Sequence, residues 1–148
     1  MKEGDVRRLF EHDCFVEVSE RADGRSLNVT TLLTDFMQRP VRIEATVLDN
    51  GLLALRAGRT LLKALDDAPE LQDAALADFF ATLLAQHEIE ERDGMLERLI
   101  DPFDEAFAAK VLDFANVIVR VGDAMHLTTL MNGYVQPDGD EYVSSIGC

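Results

Sequence analysis

His12-Asp13-Cys14 is where a nucleophile and a base fall together in this chain. Residues two apart in an extended strand share a face, so the His12 ring could reach the Cys14 thiol. A small apolar Cys opening a core strand is the commoner use of that residue, and acyl chemistry would also need an oxyanion hole. His87-Glu88-Ile89-Glu90-Glu91 begins like a zinc-protease motif but lacks the second His four residues on. The other histidines, His12 and His126, fall near the ends of expected helices, and no Cys-x-x-Cys occurs. The segment 87–91 therefore reads as a solvated hairpin strand, and no metal is expected. Glycines mark turns at Gly24, Gly51, Gly58 and Gly94 instead of forming a phosphate-binding loop. Adjacent acids such as Asp66-Asp67 and Asp104-Glu105 arise readily among so many carboxylates and read as solvated faces or helix caps. No catalytic residue, cofactor or metal is assigned, and the chain reads as a non-enzyme. The competing reading is a small hydrolase or transferase in which Cys14, His12 or a carboxylate pair meet in a concave pocket.

The charge balance speaks more clearly. Twenty-eight Asp and Glu face fourteen Lys and Arg, a formal charge of −14 over 148 residues. Such a field repels nucleic-acid phosphates and anionic lipid and favours basic protein surfaces. The acids expected to form an interaction face are Asp66, Asp67, Glu70, Asp73, Asp78, Glu88, Glu90, Glu91, Asp101, Asp104 and Glu105. Carboxylates can stand where phosphates would, so the expected partner is the basic surface of a nucleic-acid-handling complex, docked in the manner of a DNA mimic or inhibitor. The plainer alternative is charge that only keeps the protein soluble. Cations gather from Arg56 through Arg59 to Lys63, without an aromatic partner for stacking on bases. Arg21, Arg25, Arg39 and Arg42 could add a small positive patch on the first hairpins.

The elements that would position these residues follow from periodicity. A short helix is expected over Asp5–Glu11. Period-two runs over Phe15–Val18 and Leu27–Leu33 flank Ala22-Asp23-Gly24 and predict a hairpin. Val41, Ile43, Ala45 and Val47 alternate with Arg42, Glu44 and Thr46, and Asp49-Asn50-Gly51 turns the chain into a return strand over Leu52–Arg56. After Gly58 a short helix is expected over Arg59–Leu65. A longer one is expected to start at Asp67-Ala68-Pro69-Glu70, with Leu71, Ala75, Phe79 and Leu83 on its apolar stripe. Asp93-Gly94 predicts another hairpin. The last helix is expected from Asp101-Pro102, its stripe running Phe103, Phe107, Val111, Phe114, Ile118, Val121 and Met125. That stripe is wide enough to serve a homodimer seam as well as the core.

These elements predict an α+β fold: antiparallel hairpins packed against two main helices, one domain over 1–131 and a flexible tail over 132–148. Two widely separated cysteines, Cys14 and Cys148, do not suggest a disulfide scaffold, and neither a signal peptide nor a membrane-length apolar run is seen. A cytoplasmic protein is expected.

The succession of strand pairs, Gly58-Arg59-Thr60-Leu61-Leu62-Lys63-Ala64-Leu65, the second helix, the Glu90–Met95 hairpin and Phe114-Ala115-Asn116-Val117-Ile118-Val119-Arg120-Val121-Gly122-Asp123 resembles a bacterial and phage family known as domain of unknown function, number 1828. The likeness spans most of residues 14–125. Where that family's strand commonly ends in Leu-Thr-Asp-x-Gly, this chain has Leu55-Arg56-Ala57-Gly58, keeping the Gly without the Thr-Asp pair. The resemblance implies an α+β fold and an association with phages or mobile elements. It supplies no catalytic residue.

Overall fold

Residues 17–20, 26–35 and 38–133 are described by the computed structural model. The expected helix over Asp5–Glu11, the His12–Cys14 pair, the turn at Ala22–Gly24, Arg21, Arg25 and the stretch from 134 onward lie outside them. Among the described residues six strands form one antiparallel sheet: β1 (Glu17–Glu20), β2 (Ser26–Thr34), β3 (Pro40–Val47), β4 (Leu53–Ala57), β5 (Glu90–Arg92) and β6 (Met95–Ile100). Their spatial order is β1-β2-β3-β4-β6-β5.

Period-two alternation decides which side of the sheet meets the core. The register places Leu27 opposite Ala45, Val29 opposite Ile43, Ala45 opposite Leu55 and Leu53 opposite Ile100. All of these are buried. Arg42, Glu44, Arg56 and Glu97 occupy the alternate positions and face away. A two-residue turn joins β5 and β6, where Asp93 and Gly94 have φ of 54° and 76°, and the longer β3–β4 loop uses Gly51 at φ 86°.

Among the described residues three α-helices follow, α1 (Arg59–Asp67), α2 (Ala74–Gln86) and α3 (Phe107–Gly133); α3 lies on the apolar face and α2 packs on α3. The fold is α+β, as the hairpin signals and helical stripes predict. With 27 residues, α3 is about 40 Å long. It buries Phe107, Val111, Phe114, Val117, Ile118, Val121 and Met125 against the sheet. Gly58 makes the turn from β4 into α1, with φ of 86°. That left-handed conformation suits a residue without a Cβ.

Helix boundaries differ from the sequence reading in three places. Asp67 belongs to α1, Pro69–Leu71 forms a separate 3-10 turn, and the cap of α2 is Asp73, whose Oδ1 accepts the N–H groups of Ala75 at 2.8 Å and Leu76 at 3.2 Å. At the last helix, Asp101 accepts the N–H of Phe103 and Asp104 that of Ala106. These two side-chain turns delay the start of α3 to Phe107, and Phe103, expected on the core stripe, is 76% exposed. Finally, α3 runs on through Gly133, past the expected boundary at 131.

Candidate functional site

α2 runs antiparallel to α3, tied to it at both ends, between Asp113 and Asn132. At one end the Asn132 amide donates to Asp73 Oδ2 at 3.0 Å and to the Glu70 carbonyl at 3.2 Å. At the other, His87 Nδ1 lies 2.7 Å from Asp113 Oδ2, which also accepts from Arg98 Nη1 at 3.0 Å. This second tie gives the histidine of the metal-like segment its role. His87 meets an aspartate already neutralised by an arginine, while Glu88 points to solvent. A cation would find little field there. Among the described residues no three His, Cys, Asp or Glu side chains gather as a metal site.

The acids of the expected interaction face separate into two sets along α2. Asp66 and Asp67 end α1, Glu70 lies in the 3-10 turn, Asp73 caps α2 and Asp78 is exposed on its first turns. Glu88, Glu90 and Glu91 follow the far end of α2, and Asp101, Asp104 and Glu105 lie in the turns before α3. From Asp78 to the end of α2 at Gln86 the helix rises about 12 Å between the two sets. None of the eleven is buried. Two have an ion-pair partner among the described residues: Asp104 with Lys110, and Glu90 with Arg92 at 3.4 Å. The Asn132 amide, together with the N–H groups of Leu76 and Ala75, holds the Asp73 carboxyl below the usual aspartate range. Lys110 and the Ala106 N–H do the same for Asp104.

Charge is unevenly shared along the chain. Residues 26–58, which build β2–β4, balance three acids with three arginines, whereas residues 59–133 carry fifteen acids against six Lys and Arg. Of the net −14, −9 thus falls on the segment that builds the helices and the β5–β6 hairpin, and the remaining −5 on residues 1–25 and 134–148.

Two cationic groups that look separate in the sequence meet in a cleft of about 550 Å³ at one end of β3 and β4, where Arg39, Arg42, Arg56 and Arg59 line the walls. The hairpin register, with Glu44 opposite Arg56, brings them together. Lys63, grouped with Arg59 in the sequence, lies outside the lining on an exposed turn of α1. Much of the cationic charge is compensated in place. Asp35 holds Arg39 at 3.1 Å, buried Glu97 takes Arg56 at 2.7 Å, and Glu44 shares the wall.

A second depression has the opposite character. Between α2 and the last turns of α3 lies an open, mostly apolar groove of about 500 Å³, lined by Leu76, Phe79, Ala124, Leu127 and Met131. Phe79 and Ala75 sit on the stripe expected to be core, yet both are exposed. The sequence signal for the groove is present but ambiguous, since exposed and covered apolar residues share one helical spacing.

No protein-family model, curated protein sequence or solved structure matches the chain. No helix among the described residues is long and apolar enough to cross a membrane.

Proposed function

We infer that this is a non-enzymatic binding module whose acidic helical side docks on a basic protein surface. The observation that carries the reading is the segregation of charge: fifteen acids against six cations over residues 59–133, beside a neutral β2–β4 segment. Exposure adds to it, because nine of the eleven candidate acids have no ion-pair partner among the described residues. Unpaired carboxylates on rigid elements raise the encounter rate with a cationic partner and penalise anionic ones. The partner class that fits is the basic face of a nucleic-acid-handling protein, where carboxylates take the place of phosphates. A cytoplasmic setting goes with this reading, and a phage or mobile-element origin rests on the family resemblance alone.

Capture from a cell lysate at low salt and at about 0.5 M salt, followed by reconstitution with the purified partner, tests it. A basic protein that is released by salt, and that binds less well when Asp66, Asp67, Glu70 and Asp78 are changed to Asn or Gln, is the expected result. Capture indifferent to salt and to those changes would sink the reading.

A further inference from the structure

The groove between α2 and α3 exposes apolar side chains that a soluble helix layer would ordinarily cover. Phe79 is 37% exposed, Leu127 57% and Met131 63%. Leu127 and Met131 are four residues apart and so lie one above the other on α3, facing the α2 side. The charged residues in the lining are Asp73, Asp123 and Arg120. Glu70 adjoins the same end through the Asn132 bond, and Asp78 precedes Phe79 on α2. An apolar trough with a predominantly acidic rim calls for an occupant with an apolar face and cationic flanks. We propose that the groove is the docking site for a basic amphipathic helix of a partner protein. This rests on the acidic-docking reading and names where on that surface the partner is anchored.

The groove follows α3 from Arg120 to Asn132, about 18 Å, which matches roughly three turns of a helix laid alongside. Apolar anchors at i, i+3 or i+4, and i+7 would reach Phe79, Leu127 and Met131, as in other helix-in-groove complexes. Lys or Arg beside the anchors would meet Asp73 and Asp123. Charge complementarity also separates this occupant from a second copy and from the residues after 133. Residues 1–16, with Lys2, Arg7 and Arg8 beside Val6, Leu9 and Phe10, are separated from it by the test below. A second copy would bring an acidic rim against an acidic rim, a like-charge contact that opposes association. The chain's own residues 134–148 include Asp138, Asp140 and Glu141 and contain no Lys or Arg.

Three fluorescent peptides of about 18 residues test the proposal with the full chain: an amphipathic Leu/Lys helix, a Leu/Gln helix of the same pattern, and oligolysine. Anisotropy titration at low salt should rank the Leu/Lys peptide first. Leu127→Gln with Met131→Gln should weaken its binding about tenfold or more, because both anchors' contacts are lost. Leu99→Gln, at an exposed position on β6, should leave it unchanged. Oligolysine that binds as tightly as the Leu/Lys peptide, and that ignores the groove variants, overturns the groove and leaves acidic docking standing. A Leu/Gln peptide that binds as well as Leu/Lys overturns the cationic occupant. Failure of both oligolysine and Leu/Lys to bind removes the acidic reading as well. A dimer in sedimentation that the double variant dissolves assigns the groove to a second copy. Displacement of Leu/Lys by a synthetic 1–16 or 134–148 peptide assigns it to one of the chain's own ends. Either result overturns the proposal.

Discussion

Asp73 serves two helices at once. Its Oδ1 caps α2 through the Ala75 and Leu76 N–H groups, and its Oδ2 accepts the Asn132 amide at the end of α3. With Asp104, which joins Lys110 and the Ala106 N–H, it forms a pair of carboxylates held below their ordinary range. The sign of the pH effect follows. A carboxyl with a depressed native pKa binds fewer protons folded than unfolded, so its stabilisation is complete above the unfolded value of about 3.9 and is lost as pH falls through the native value. Urea midpoints should stay flat from neutral pH to about pH 5 and then fall. Asp73→Asn keeps a capping oxygen but no titration, so it should shallow the acid-side fall. Asp73→Ala, with no capping oxygen, should lower the midpoint across the whole range. An Asp73→Asn profile that overlays the parent's would show that this carboxylate does not govern the acid limb.

Gly58 is the hinge between the sheet and the helical layer. Its φ of 86° is a left-handed conformation, and a Cβ there would lie 3.6 Å from Ile118 Cδ1 and 3.7 Å from Leu96 Cγ. Those are ordinary contact distances, so Gly58→Ala should cost about 1–2 kcal/mol through backbone conformation and not through a clash. Urea denaturation checks this, and a change under about 0.5 kcal/mol would mean the turn relaxes freely. At this level the sequence reads well wherever burial is one-sided. Val41, Ile43 and Ala45 alternate because one face of β3 is covered, and Asp93-Gly94 announces its turn because few residues accept positive φ. The starts of α2 and α3 read poorly, since Asp67-Ala68-Pro69-Glu70 and Asp101-Pro102 carry the same capping chemistry as the true starts a few residues on. The apolar groove is ambiguous in the sequence for a different reason. Phe79 and Leu83 lie on one stripe of α2, and only the position of α3 decides that Leu83 is covered and Phe79 is not.

The net charge of −14 acts on the folded molecule as a whole. Acids crowded along residues 59–133 repel one another more in the compact state than in the expanded chain, and salt screens that repulsion. The unfolding temperature should therefore climb by several degrees between about 0.02 and 0.3 M NaCl, and KCl should act alike. A flat response would place the acids too far apart to interact. The meeting of Arg39, Arg42, Arg56 and Arg59 in one cleft is not revealed by the order of residues, because they are split between the approach to β3, β3 itself, β4 and the start of α1. One rim of the sheet has its own consequence. β5 is only three residues long, and Glu90, Glu91 and Arg92 are all exposed along it. A strand arriving from another molecule would have to lay its backbone beside these charges, and a copy of β5 would bring two more glutamates to the seam. At that border, edge-on pairing of another strand is disfavoured by the charge it would have to lie against.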